Sequence, residues 1–477
     1  MRNSPLLPAL VLTLSLQGYG QTFQDFIDQV NAAPDSLRTA IVDSFVIANP
    51  VSPVVEFDTL AHYYYRGTTS SVSVPGDANQ WIPIQSPMTR LSTTNFWYRS
   101  ESFEPDARLD YKFVVNGSTW ILDPRNPYTV LGGFGPNSEL RMPDFVQPPE
   151  ISYYPEIPHG TLHDTTFFST FLGNSRTIRV YTPPGYGSPL DSFGVVVFHD
   201  GLEYITLANA VRVLDYLIDQ QVIAVFVPPV NRTAEYAGIF QDEFTLFIVE
   251  ELMPWVDARW NTRRDPHQRA TLGASNGGNI ALWLGVSHPE VFGFVAAHSS
   301  NIQASISDTI ANSPLLDLTF YLDLGTYDIP ILITLVRDFI PLLQSQGYPH
   351  TYVEFHEGHS WGNWRGHIDN ALQFFFPGPA LSVEGGGEFP ARSRLFQSYP
   401  NPFNSVSNFE FRVSGLSAVS LIVYDLLGRE IVTIVDETLP SGTYARQWDA
   451  SGLPSGVYFY RMTSGTFSET RKLVLLR

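Results

Sequence analysis

The segment Gly273-Ala274-Ser275-Asn276-Gly277 holds the clearest chemistry in this 477-residue sequence, a serine with a glycine two residues away on each side. It follows an apolar run ending in Ala270-Thr271-Leu272 and opens Gly278-Asn279-Ile280-Ala281-Leu282-Trp283-Leu284, which is compatible with a helix. A G-x-S-x-G at a strand-to-helix turn is a nucleophile elbow. Its small residues let the backbone turn sharply and hold the hydroxyl clear of a sheet, and the helix behind it aims amide dipoles at any anion formed there. Ser275 is the candidate nucleophile. A plain Gly/Ser turn between a buried strand and a helix is the alternative that five residues leave open.

A serine hydroxyl needs an imidazole to take its proton and a carboxylate to fix that imidazole's tautomer. Behind an elbow of this kind the acid comes next in sequence, then the histidine. Leu318-Thr319-Phe320-Tyr321-Leu322-Asp323-Leu324 reads as a strand stopping at Gly325-Thr326-Tyr327-Asp328, which puts Asp328 on the loop at its tip. Asp323 lies inside the strand and Asp317 at its far end, so Asp328 is the expected acid. Tyr352-Val353-Glu354-Phe355 is a second strand-like alternation, followed by His356-Glu357-Gly358-His359-Ser360-Trp361. His359 lies deeper in the loop that must reach back to the serine and is preferred as the base. His356 is the rival, which spacing does not separate from it.

The β-branched run Val195-Val196-Val197-Phe198-His199-Asp200-Gly201-Leu202 ends in a glycine turn, the position that supplies an oxyanion-hole amide in such an arrangement. The hole is expected from the backbone N–H of Gly201 or Leu202 together with that of Asn276, with His199 structural. Trp361 and Trp364 lie just past His359. At least one should wall the cleft and favour an aromatic or sugar-ring group, unless both close the core against a helix starting near His367.

Beyond these sites, Arg176-Thr177-Ile178-Arg179-Val180-Tyr181-Thr182-Pro183-Pro184-Gly185-Tyr186, Phe198-His199-Asp200-Gly201, Glu250-Glu251-Leu252-Met253-Pro254-Trp255, the elbow and Gly358-His359-Ser360 stand in the order seen in the esterase D-like α/β-hydrolases. That family includes enterochelin esterases, feruloyl and acetyl-xylan esterases of carbohydrate esterase family one, and S-formylglutathione hydrolases. The chain resembles it over residues 150–377. The resemblance implies an α/β-hydrolase fold with a doubly wound, mostly parallel sheet, and it matches Ser275, Asp328 and His359 to the family's triad. Asn231-Arg232-Thr233-Ala234-Glu235 resembles a segment bordering the family's site, which makes Arg232 a candidate substrate contact, or else scaffold paired with Glu235 or Glu243. No metal or organic cofactor is implied.

The remaining sequence must position and deliver this unit. Met1-Arg2-Asn3, the apolar stretch Leu6 to Leu16 and Gly18-Tyr19-Gly20 read as a signal peptide over residues 1–20. No later apolar run approaches the length needed to cross a bilayer, so no membrane span is expected. The absence of cysteine excludes disulfides and thiolate metal sites. A net charge of −19, from 28 basic and 47 acidic residues, argues against nucleic acid as a partner.

A short helical leader is expected over 21–54, from the helix-compatible Phe23 to Ala40, and a β-sandwich over 55–147. In the latter, Leu109-Asp110-Tyr111-Lys112-Phe113-Val114-Val115 alternates, and Asn116-Gly117 signals a tight hairpin into Thr119-Trp120-Ile121-Leu122. Tyr64-Tyr65-Arg66-Gly67, Val72-Ser73-Val74-Pro75-Gly76-Asp77, Pro105 to Phe113 and Leu122-Asp123-Pro124-Arg125-Asn126-Pro127 resemble the family 48 carbohydrate-binding modules. Trp81, Trp97 and Trp120 could stack on sugar rings, with core packing the competing role for each.

Pro377-Gly378-Pro379 and Glu384-Gly385-Gly386-Gly387-Glu388 break all periodicity, so residues 378–393 read as a flexible linker. Over 394–477, Gln397-Ser398-Tyr399-Pro400-Asn401-Pro402-Phe403-Asn404, Val423-Tyr424-Asp425-Leu426-Leu427-Gly428-Arg429, Trp448-Asp449-Ala450-Ser451-Gly452, Gly456-Val457-Tyr458-Phe459-Tyr460-Arg461 and Lys472-Leu473-Val474 resemble the β-sandwich sorting domain of type IX secretion substrates. The expectation is a secreted serine ester hydrolase working through an acyl-enzyme on feruloyl or acetyl esters of plant polysaccharide, with the type IX secretion machinery as partner. A catecholate siderophore esterase, or a surface carbohydrate-binding protein with an inactive hydrolase domain, are the alternatives.

Overall fold

The computed structural model describes residues 22–187, 192–217, 221–377 and most of 393–475. The expected signal peptide, and all but the last residue of the expected linker, lie outside the described residues. The chain divides into two compact units, Met1–Gly378 and Pro379–Arg477.

An eleven-stranded sheet runs through the first unit. Six parallel strands form its middle, in the order Val222–Val227, Gly194–His199, Arg269–Ala274, Phe294–His298, Thr319–Tyr327 and His350–Gly358. An antiparallel hairpin, Thr161–Ser169 with Asn174–Thr182, closes one edge. Three of these, Val222–Val227, Gly194–His199 and Arg269–Ala274, are wholly buried because helices cover both faces, which is why they read as apolar runs without a polar alternation. Alternate side chains feed two cores: Val196, Phe198, Ala270 and Leu272 point to one, and Val195, Val197, Ile223 and Val225 to the other.

The opposite edge of this sheet does not end with the hydrolase strands. His350–Gly358 pairs in parallel with Arg108–Tyr111 at the register Glu357 to Arg108, and Gly135–Arg141 and Thr129–Gly132 continue outward. The apolar alternation over 109–115 is therefore two strands. Arg108–Tyr111 joins the long sheet while Phe113–Val115 joins Val72–Ser73 and Thr119–Ile121, with the break at Lys112, whose N–H donates to the Pro75 carbonyl. The Asn116-Gly117 turn forms as expected, both residues having positive φ of 54° and 77°. A separate sheet of Val54–Glu56, Leu60–Arg66, Phe96–Ser102 and Thr89–Arg90 completes the front module.

The leader is two helices, Phe23–Ala32 and Asp35–Ala48, where the sequence suggested one. Pro34 separates them, since a proline inside a helix lacks the N–H and clashes with the preceding turn. Thr22 and Asp25 form a capping box at the first helix. Phe23, Phe26, Val30, Val42 and Val46 pack with Tyr64 and Phe96 of the front module.

In the second unit, Val406–Val413 pairs with Gly442–Asp449 and Arg394–Leu395. A four-stranded sheet is ordered Glu430–Leu439, Ser417–Tyr424, Gly456–Ser464, Phe467–Leu475. Phe409, Phe411, Leu421, Trp448 and Tyr460 lie in the core of this β-sandwich.

Candidate active site

Ser275 stands between the strand Arg269–Ala274 and the helix Asn276–Ser287, with φ 57° and ψ −123°. A non-glycine residue rarely occupies this region, and it is the backbone an elbow requires. The tightness of the turn explains Gly273: a Cβ there would fall 2.2 Å from the Gly277 carbonyl oxygen. The Ser275 N–H donates to the His298 carbonyl (2.9 Å), which ties the elbow to the next strand.

Asp328 is the first residue past the strand Thr319–Tyr327, at the sheet end that also carries Ser275. Its Oδ1 accepts from His359 Nδ1 at 2.8 Å and from the Ile329 N–H at 2.6 Å. His359 Nε2 in turn accepts from the Ser275 hydroxyl at 3.1 Å. The bond from Nδ1 to a carboxylate fixes the tautomer in which Nε2 is free to accept a proton. Asp328 is fully buried, while the His359 side chain keeps 21 % of its exposure. His356 lies elsewhere, its Nδ1 bonded to Asp106 of the front module at 2.6 Å.

Gly201 and Leu202 begin the helix Gly201–Thr206, and Asn276 begins the helix after Ser275. Amides of a helix's first turn have no acceptor within the helix, so these N–H groups are available to a developing oxyanion. The Leu202 side chain is exposed at this turn, as is that of Ile329 beside Asp328. His199 is wholly buried, with Nε2 bonded to Thr271 Oγ1 at 2.8 Å, and burial pushes it down to about 3, so it stays neutral.

One expectation changes. Arg232 pairs with neither Glu235 nor Glu243. It clasps Asp200 through Nε (2.8 Å) and Nη2 (2.7 Å), and Nη2 also donates to the Ala274 carbonyl (3.1 Å), the residue before the nucleophile. Glu235 is taken by Arg176. Arg232 therefore braces the elbow, and its geometry gives no support to a substrate contact. Trp361 and Trp364 are 9 % and 5 % exposed and pack in the hydrolase core, the role that competes with a cleft wall. Trp364 still matters, because its ring meets that of His359 edge to face at 4.9 Å. In the front module Trp97 is buried and Trp81 donates to Asp77 Oδ1 at 3.0 Å, which leaves Trp120, 46 % exposed, with an open face.

Sequence reasoning gave no role to Asp200, the buried partner of Arg232, or to residues of the front module that reach this site. Gln80 Nε2 donates to the Asp328 carbonyl (3.2 Å), and the Tyr327 hydroxyl donates to Glu104 (2.6 Å). Asp77 is pushed up to about 8 by burial and by the neighbouring Asp110 charge, and it packs directly against Gly358. For Asp200 and Asp77 the only local signal was a charged residue placed beside an apolar strand, and Gln80 carried none. Among the described residues, no cluster of His, Cys, Asp or Glu is arranged to hold a metal.

Residues 169–375 match the family model described as "Putative esterase", and residues 397–476 match that described as "Secretion system C-terminal sorting domain". The first unit thus contains an esterase-family domain on an α/β-hydrolase sheet, and the second is a sorting domain, which indicates secretion or placement at the cell surface. The chain is an esterase. It is 25% identical over 234 residues to the uncharacterized protein YjcH of Bacillus subtilis, covering 45% of this chain and 97% of that protein. It is 26% identical over 159 residues to an endo-1,4-beta-xylanase/feruloyl esterase of Xylanibacter ruminicola, covering 30% of this chain and 22% of that protein. The ferric enterobactin esterase of Salmonella typhimurium shares its fold, with a TM-score of 0.61 at 20% identity over 70% of this chain and 98% of that structure. That coverage exceeds the esterase domain alone. No helix among the described residues is long and apolar enough to cross a membrane.

Proposed function

We propose that the enzyme is a secreted serine ester hydrolase that works through an acyl-enzyme formed on Ser275. The observation carrying this reading is His359 bridging Ser275 (3.1 Å) and Asp328 (2.8 Å). Ser275 Oγ attacks the ester carbonyl carbon as His359 Nε2 takes its proton, and Asp328 steadies the imidazolium. The amides of Leu202 or Gly201 and of Asn276 stabilise the tetrahedral oxyanion. His359 then returns the proton to the departing alkoxide, leaving an acyl-serine. Water attacks this by the same steps in reverse order, with His359 as base. No step calls for a cofactor.

For substrate we propose feruloyl or acetyl esters of plant polysaccharide. The feruloyl esterase relative and the sorting tail support this, the latter through passage by way of the periplasm to the outside. A catecholate siderophore ester is the second reading, favoured by the fold shared with the enterobactin esterase beyond the hydrolase domain. An inactive carbohydrate-binding protein fits less well, since Ser275, His359 and Asp328 lie in hydrogen-bonding order. Turnover of p-nitrophenyl acetate, methyl ferulate, acetylated xylan and enterobactin by the purified enzyme tests these together. A preference for ferulate or acetylated xylan is expected. A preference for enterobactin selects the siderophore reading, and inertness toward all four rejects the esterase mechanism.

A further inference from the structure

The turn carrying His359 is gripped by the front module on both sides. Arg108 is wholly buried, and its guanidinium spans the seam between the module and the hydrolase. Nε and Nη2 bond to Glu139 and Asp110 of its own module, while Nη1 donates to Ser360 Oγ at 3.2 Å and lies 3.8 Å from Glu357 Oε2. Ser360 follows His359 directly and caps the helix Trp361–Trp364, and Glu357 is the sheet partner of Arg108. The fit leaves no slack. A Cβ at Gly362 would fall 1.9 Å from Arg108 Nη2, and one at Gly358 would fall 2.1 Å from Asp77 Cγ. Asp77 is itself fixed by accepting from the Asp110 N–H at 2.8 Å.

A planar guanidinium held by two carboxylates cannot rotate without breaking a charge-assisted bond, so it transmits the position of the front strand to whatever its remaining nitrogen holds. Here that is the backbone on either side of His359. We propose that Arg108 is a positioning residue for His359, so that the front module sets the alignment of the base as well as covering the sheet edge. This rests on the serine-esterase reading, since it assigns Arg108 a role through the base of that mechanism. A displacement of about 1 Å at a base lowers turnover by up to about 100-fold while leaving substrate binding largely intact. Arg108 is wholly buried and presents no surface to a substrate, so its loss is expected in kcat and not in KM.

The test uses the full enzyme and two variants. Arg108→Lys keeps the charge but loses the planar fork, and Arg108→Met with Asp110→Asn and Glu139→Gln removes the guanidinium together with the two carboxylates bonded to it, so that neither of those partners is left charged and unpaired. Each is measured alone and with His359→Ala, by steady-state kinetics and by single-turnover release from p-nitrophenyl acetate, with melting temperature recorded. We expect kcat to fall by about 10- to 100-fold with KM within about twofold, and the same change to alter the residual rate of His359→Ala by less than about twofold. If both folded variants keep wild-type kcat, or the loss is equally large with His359 absent, Arg108 does not act through the base and the inference fails. Full activity of His359→Ala by itself would instead remove the base, and with it the mechanism on which this inference stands.

Discussion

Arg232 holds the carboxylate of Asp200 with two nitrogens and the carbonyl of Ala274 with one of them, joining two strand ends immediately behind the nucleophile. Asp200 is 2 % exposed and burial raises its pKa, while the Arg232 guanidinium pulls it back toward the charged form. Removing the arginine strands a buried carboxylate. Arg232→Ala should lower stability in urea denaturation by up to about 3 kcal/mol, the low end for a broken buried pair because the arginine side chain is 39 % exposed. Adding Asp200→Asn should restore part of it. An Arg232→Ala enzyme of unchanged stability with a raised KM would return Arg232 to the substrate.

Ser275→Ala should lower kcat on the order of 10⁴-fold or more in a protein that still folds, and His359→Ala should do nearly the same. His356→Ala should be mild, because that ring bonds to Asp106, away from Ser275. Comparable losses for the two histidine variants would mean that the base is not His359 alone.

Trp361 and Trp364 pack on each other edge to face at 5.0 Å within the core, and Trp361 also packs on Tyr204. Replacement of either by alanine should cost about 3–5 kcal/mol and lower turnover of methyl ferulate and p-nitrophenyl acetate alike. A selective loss on ferulate at an unchanged melting temperature would place the ring in the pocket after all.

His199 supplies a pH dependence of known sign. Its pKa falls from about 6.5 in the unfolded chain to about 3 in the fold, through burial. Between these values the unfolded chain binds the extra proton, so stability should drop as pH falls below about 6.5, by at most about 1.4 kcal/mol per pH unit from this group. His199→Gln should flatten that limb of the urea-denaturation profile. An unchanged slope would mean that His199 is protonated in the folded enzyme.

A chain ending at Gly378 should keep full esterase activity, because each unit has its own core. Loss of soluble protein on that truncation would overturn this. Deleting residues up to 150 should abolish activity and solubility together, since it bares the strand His350–Gly358 and leaves Glu357 and Ser360 without Arg108.

The elbow was legible in the sequence because a turn at φ 57° this tight needs small residues two before and two after the serine, a Cβ at Gly273 falling 2.2 Å from the Gly277 carbonyl oxygen. The buried parallel strands were legible for a similar reason, since strands covered on both faces must be apolar throughout. The type and order of Ser275, Asp328 and His359 also lay in the chain. What tertiary packing alone decided was partnership across long separations. Nothing near His356 or His359 says which of them faces a serine more than eighty residues earlier, and nothing near Arg232 names Asp200 as its partner. The split of 109–115 between two sheets was hidden as well, because alternation reports that a face is buried and not which neighbour buries it. Arg108 shows this most fully. A lone arginine in a strand reads as a surface residue, and only the sheet pairing of residue 108 with residue 357 turns it into the hinge pin beside His359.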